Sequence, residues 1–329
     1  MTSMQTPAMQ TPATQHTTAT PDRRLSNCDH TNRMAKRRPP TVHGLLVVDK
    51  PAGVTSHDVV GMVRRRLGER RVGHAGTLDP DATGVLLVGV GKVTRLLRFL
   101  TALGKTYTGE VVFGTTTSTL DAAGEVTGTF AMPDLELERV RQIAADRLTG
   151  PILQIPPMVS ALKVGGRRLH ELAREGIEVE RVPRPVTIHE LVVDTTDDPQ
   201  VYRITVRCSS GTYIRTLAAD LGALLGGGAH LRNLRRTAVG SFTGDEAAPP
   251  DVAELLVPSA ALRDYRSVTV DAATAALVAN GRRLDPFTSA SGDPPAGDGP
   301  WAVLDGNGEL LAMYEATPDG GARPAVVLN

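Results

Sequence analysis

Twelve residues, GHAGTLDPDATG from Gly73 to Gly84, limit most sharply what this chain can fold into. Three glycines, a proline and two aspartates break any helix across the span. Asp79 precedes Pro80, so its backbone is pushed toward an extended conformation. The next residues, VLLVGV from Val85 to Val90, are apolar without interruption and too few to cross a membrane, so they read as a buried strand. A carboxylate is thus presented on a turn-rich loop at the edge of a core. Local sequence alone also allows Asp79 or Asp81 to close an Asx-turn on its own backbone.

The flanking text supplies the rest of a sheet. LLVVDK from Leu45 is a short strand, and Ser56 offers an N-cap to a helix with Val59, Val63 and Leu67 at four-residue spacing. After Val90 the pattern predicts a helix over Val93–Leu103, a strand from Lys105 to about Gly114 and a helix over 134–148. Residues 200–208 alternate as a half-buried strand and run through SSGT into a helix, Tyr213–Leu225, whose Ile214, Leu217, Leu221 and Leu224 share one face. Strands outnumber what a parallel repeat needs, which points to an α+β fold around a mixed or antiparallel sheet.

The formal charge is zero, yet it is unevenly spread: six basic residues against two acidic in 1–40, 25 against 21 in 41–240, and five against 13 in 241–329. Arg64, Arg65 and Arg66, and Arg235 with Arg236, form clusters suited either to phosphate contacts or to solvated faces. The two cysteines, Cys28 and Cys208, match no metal or disulfide spacing and fit a reducing cytoplasm. Residues 1–40 are rich in Thr, Pro and Gln with almost no large aliphatics, so they are expected to be a disordered tail.

Nucleotide cofactors are disfavoured by direct comparison. A phosphate-binding loop ending on Lys92 would need glycine where Leu86 stands and a hydroxyl where Val93 stands; a dinucleotide fingerprint from Gly89 has Thr94 for its third glycine. Arg215, in the first turn of its helix, is placed against the macrodipole. An anion should compensate: Asp220, a substrate phosphate, or Asp79.

The blocks DKPAGVTSHDVV, VGHAGTLDPDATGVLLVGVGKVTRLL, KTYTGEVVFG, QIPPMVSALKVGGRRLHELAREG and CSSGTYIRTLAADLG, in that order, resemble the TruB family of bacterial tRNA pseudouridine-55 synthases. The resemblance spans about residues 45–240. It implies that Asp79 is the catalytic aspartate, that His74 helps hold the flipped target base, and that Tyr107 stacks on the uracil. It further implies that Tyr213 and Arg215 form the active-site pair of GTYIR, the arginine salt-bridged to the aspartate, and that Lys50 and Pro51 are a more structural motif. The implied partner is the T-arm of tRNA, bound by a monomer that uses no cofactor, metal, membrane or protein partner. Attack at C1′, attack at C6 and a glycal intermediate all remain open.

In that family a thumb-like insertion, here about 150–180, closes on the RNA. The guide-RNA-dependent pseudouridine synthases share the aspartate loop but lack the insertion, which favours the stand-alone enzyme. The alternative from another class is a non-catalytic tRNA-binding protein. The expected organisation is a catalytic domain over 41–245, a linker over 246–265 and a β-rich, PUA-like module over 266–329 with a hairpin around Asp305–Gly308.

Overall fold

The alternation in KTYTGEVVF forms a strand, Lys105–Phe113, in which every second residue from Lys105 is buried. This strand lies inside a ten-stranded sheet of the computed structural model, which describes residues 39–328 apart from Asp134 and Ala161. The expected tail over 1–40 falls almost wholly outside the described residues. The strand order is Leu255–Leu256, Gly44–Lys50, Thr83–Val90, Ala229–Val239, Lys105–Phe113, Val201–Cys208, Arg184–Thr195 and Gly150–Gln154, with Phe242–Thr243 paired to Ala229–Val239 and Val72–Ala75 to Thr83–Val90 off this path. Its pairings are antiparallel except between Thr83–Val90 and Ala229–Val239. The sheet is therefore mixed and the fold α+β, as the strand-rich text predicts.

Thr83–Val90 is central and covered on both faces, which explains its unbroken apolar sequence. One face packs with Val59, Val60 and Val63 of the Ser56–Leu67 helix, and the other with Leu96, Phe99 and Leu100. Farther along the sheet, helices Leu137–Leu148 and Ile214–Leu224 cover Val111, Phe113, Ile204 and Val206. Each such buried aliphatic contributes about 1.5–3 kcal/mol, so the sheet is a stiff platform for the loop that rises from it.

Four details differ from the sequence expectations. Thr55, not Ser56, caps the first helix, in a reciprocal pair with Asp58: the Thr55 hydroxyl accepts from Asp58 N (3.1 Å) and the Asp58 carboxylate accepts from Thr55 N (2.8 Å). The helix expected over Val93–Leu103 is a 3-10 turn, Gly91–Leu96, followed by a short α-helix, Leu97–Ala102. Gly150–Gln154 belongs to the main sheet, so only the residues after it, with the two-stranded hairpin Lys163–Val164/Arg167–Arg168 and helix Leu169–Arg174, form the insertion.

The fourth correction concerns the expected linker over 246–265. Leu255 and Leu256 pair with Leu46 and Leu45 at the sheet edge, and Ala253, Ala261 and Leu262 are buried. Beyond it stands a four-stranded sheet in the order Ser267–Thr269, Trp301–Leu304, Leu310–Ala316 and Ala322–Val327. Its hairpin turns at Asp305–Gly308, where Asp305 N donates to Glu309 O (3.0 Å). Ala302, Leu310 and Met313 share a core with Leu45, Val47 and Phe99, so this sheet packs directly on the larger one. Among the described residues no helix is long and apolar enough to cross a membrane.

Candidate active site

The loop bearing Asp79 is tied down from two sides. Ser56, freed from capping, is buried and exchanges two hydrogen bonds with Leu78: its Oγ donates to Leu78 O (3.2 Å) and accepts from Leu78 N (2.9 Å). Lys50 is fully buried, and its Nζ donates to the carbonyls of Pro51 (2.9 Å), Val54 (2.6 Å) and Pro80 (2.8 Å). All three ammonium hydrogens are thereby used on backbone, and burial lowers the pKa of the amine. Lys50→Met should cost about 2–3 kcal/mol of stability, because the three carbonyls lose the buried ammonium that ties them together. Urea denaturation measures this, and an unchanged midpoint would show that the clamp contributes nothing.

Glycine is required where the loop meets the sheet. At Gly84 (φ +100°) a Cβ would sit 2.1 Å from the Arg236 carbonyl oxygen, and at Gly76 (φ +77°) it would press at 3.3 Å on both Arg236 and Lys105.

Asp79 meets Arg215 where the macrodipole argument requires an anion. Arg215 Nε lies 3.0 Å from Asp79 Oδ2 and its Nη1 3.4 Å from Asp121 Oδ2. Nη1 also donates to Thr119 O (2.8 Å) and Nη2 to Val159 O (2.8 Å). The arginine side chain is 6% exposed and that of Asp79 42%, so a locked cation presents a reachable carboxylate. Burial raises the Asp79 pKa above the ordinary carboxylate value; Arg215 opposes that rise and Asp121 adds to it.

A cavity of about 260 Å³ opens beside the pair, lined by Asp79, Lys105, Tyr107, Tyr213, Arg215 and Arg236 among others. Tyr107 is buried in the wall, its phenol pKa raised by burial and partly drawn down by the Arg236 guanidinium. The backbone of Tyr213 is clamped by the buried Gln154, whose Oε1 accepts from Tyr213 N (3.0 Å) and whose Nε2 donates to Tyr213 O (3.3 Å). Asp79 and Arg215 also line a second cavity of about 440 Å³, with Asp121, Arg232 and Asn233. Among the described residues, no group of three or more His, Cys, Asp or Glu is placed to hold a metal ion.

His74 lies on the adjoining strand, Val72–Ala75, outside the lining of the smaller cavity. Its Nδ1 is buried without a hydrogen-bond partner, and burial, with Arg236 and His57 nearby, lowers its pKa, which keeps the imidazole neutral at pH 7.

The arginine clusters divide. Arg65 and Arg66 are exposed on the last turn of their helix; Arg64 is half-buried and donates to Val72 O (2.9 Å). The expectation of an RNA contact is corrected for Arg236, whose side chain is buried. Arg236 is 1% exposed and donates to the carbonyls of Val85 (2.7 Å) and Gly76 (3.0 Å), while Arg235 is paired bidentately with Asp49 (3.0 and 2.9 Å). Sequence reading also missed Lys105, Asp121 and Gln154. Of these only Lys105 carries a local sign, a lysine on the buried phase of an alternating strand.

Residues 64–214 match the model of the TruB family pseudouridylate synthase N-terminal domain, and 215–265 that of the tRNA pseudouridylate synthase B C-terminal domain. By class, then, the sheet and its aspartate loop are those of a pseudouridylate synthase. Proteins named tRNA pseudouridine synthase B from Mycobacterium bovis (strain BCG / Pasteur 1173P2) and Symbiobacterium thermophilum are 44% and 50% identical to it. Those alignments cover 85% and 73% of this chain and 93% and 82% of the relatives. The chain belongs to the TruB family. A solved H/ACA ribonucleoprotein bound to a substrate RNA containing 2′-deoxyuridine has a chain of the same fold, with a TM-score of 0.64 at 23% identity over 87% of this chain and 85% of that one. A second, from a Cbf5-Nop10-Gar1 complex, matches with a TM-score of 0.64 at 24% identity, over 87% of this chain and 83% of that one.

Proposed function

We propose that this chain is a tRNA pseudouridine synthase that isomerises uridine 55 of the T-loop, with Asp79 as its catalytic carboxylate. The observation that supports this most is the Asp79–Arg215 ion pair, set on the wall of a cavity that also holds Tyr107 and Tyr213. The relatives carry the name of the same activity over most of the chain.

The reaction breaks the bond from C1′ to N1, turns the ring and forms a bond from C1′ to C5; N1 gains a proton and C5 loses one. No electrons are exchanged with a cofactor. Asp79, kept ionised by Arg215, acts on the sugar as carboxylates do in glycosidases. A base inside folded RNA must leave its stack to reach the cavity, and Tyr107 offers a ring face to receive it. His74 helps hold the base flipped, and Tyr213, fixed by Gln154, borders the same space. We place the activity in the cytoplasm, performed by a monomer. Residues after Gln154 up to Arg184 form the thumb and 266–329 a PUA-like module that caps the larger sheet.

Incubation with an unmodified tRNA transcript, followed by carbodiimide mapping, tests the proposal. Conversion at position 55 is the expected result; tRNA bound tightly with a silent T-loop would favour a non-catalytic binder. The exposed arginines give a separate check on where the RNA lies. Replacing Arg65 and Arg66 with serine should weaken tRNA binding and make its salt dependence shallower, by about one unit of log–log slope for each phosphate that is no longer neutralised. Arg235→Ser should leave that slope unchanged, since its charge is spent on Asp49.

A further inference from the structure

Two buried cations in the cavity wall have no carboxylate partner. Lys105 is 7% exposed and Arg236 1% exposed, and among the described residues neither forms an ion pair. Lys105 Nζ donates to the carbonyls of Thr101 (2.9 Å) and Leu103 (2.7 Å), which leaves one ammonium hydrogen for the cavity it lines. Arg236 spends Nε and one terminal nitrogen on Val85 and Gly76 and stands beside the Tyr107 hydroxyl. The turn at Gly76 passes over both side chains and brings them together. Unpaired buried charges are costly, and two of like sign side by side more so. Such an arrangement is suited to a site that receives negative charge at one stage of a reaction.

The cavity is polarised. Its carboxylate, Asp79, enters from the loop, paired with Arg215; the two cations without a carboxylate partner stand on the sheet, with Tyr107 on the same strand as Lys105 and within the field of both Arg236 and Asp79. We propose that Lys105, supported by Arg236, forms the electropositive wall that stabilises the uracil ring as an anion after its glycosidic bond breaks. The inference rests on the functional reading above. When the C1′–N1 bond breaks, its electron pair stays on the ring, whose charge spreads over N1 and the two carbonyl oxygens. The ring turns as that anion, C5 bonds to C1′, the C5 proton departs, and N1 takes up a proton. The anion needs a countercharge that does not depend on sugar contacts, since the ring is unattached while it turns. Asp79 would repel it; Lys105 and Arg236 attract it.

The groups facing Lys105 are Arg236 on strand Ala229–Val239, Cys208 on strand Val201–Cys208, Tyr107 on its own strand and the carbonyls of Thr101 and Leu103 at the C-terminal end of helix Leu97–Ala102. Burial and Arg236 bring the Lys105 pKa down to about 8, whereas burial raises those of Cys208 and Tyr107. Lys105 is therefore charged at neutral pH and begins to lose its proton at mildly alkaline pH.

The test is the single-turnover rate of pseudouridine formation on unmodified tRNA transcript between pH 6.5 and 9, beside the tRNA Kd, for the full chain and for Lys105→Met and Lys105→Arg. At pH 7 Lys105→Met should lose about 10²-fold in rate with its Kd unchanged. The wild-type rate should decline above about pH 8, and Lys105→Arg, whose charge persists across this range, should recover most of the rate and lose that decline. Near-UV circular dichroism and the unchanged Kd show that each variant is folded. A Lys105→Met rate close to that of the wild type overturns the proposal, as does a raised Kd with a shallower salt slope and a normal rate in the bound complex, which would make Lys105 a phosphate contact. A wild-type chain that makes no pseudouridine at any pH overturns instead the reading of function, and the charged wall falls with it.

Discussion

Asp79→Asn is expected to lower pseudouridine formation by roughly 10³–10⁴-fold while tRNA binding survives. The amide keeps the size and shape of the carboxylate and can still accept from Arg215 Nε, now 3.0 Å from Asp79 Oδ2. It cannot act as a nucleophile or take a proton. Stability should change little, since the side chain is 42% exposed and the loop is held through Ser56 and Lys50 rather than through Asp79 itself. Single-turnover rate and equilibrium binding, measured on the same preparation, separate the two effects. Near-normal turnover would return Asp79 to the role of a loop-closing residue.

Arg215→Ala has the second largest expected effect. It strips Asp79 and Asp121 of their shared cation and leaves the carbonyls of Thr119 and Val159 without a donor. The rate should fall by about 10²–10³-fold, and the pH profile should change in a defined direction. Asp79 acts ionised, so activity is present above its pKa and lost as pH falls through it. That pKa is already raised, because burial outweighs the arginine; removing the arginine raises it further, so the acid limb must move to higher pH. A lower rate with an unmoved limb would show that Arg215 positions the loop without setting its charge.

What the sequence made legible were residues that break local rules. Asp79 stands before a proline among glycines, and Arg215 stands at the wrong end of a helix dipole; both features ask for a partner, and each supplies the other's. The residues that escaped notice obey local rules or act over long separations. Gln154 is an ordinary amide until the fold brings Tyr213, 59 positions away, within hydrogen-bond distance on both sides of its side chain.

Arg236 was misread as an equal of Arg235 for a backbone reason. Their strand shifts register between Arg232 and Arg235 and again between Arg236 and Ala238, and Asn233 takes a left-handed conformation with φ 54°. Simple alternation is lost there, so inward and outward arginines look alike in the text. The expected linker over 246–265 differs for a similar reason: Leu255 and Leu256 within it close the edge of the sheet. Edge pairing is a property of the assembled sheet, so short segments give little sign of it.

Release of tritium from tRNA transcribed with [5-³H]uridine tests the central claim most directly, because only loss of the C5 hydrogen frees the label. The account predicts one equivalent released per tRNA by the wild-type chain, and none from a transcript with cytidine at position 55 or with the Asp79→Asn chain. Release that persists with cytidine at 55, or that the asparagine variant matches, would contradict it.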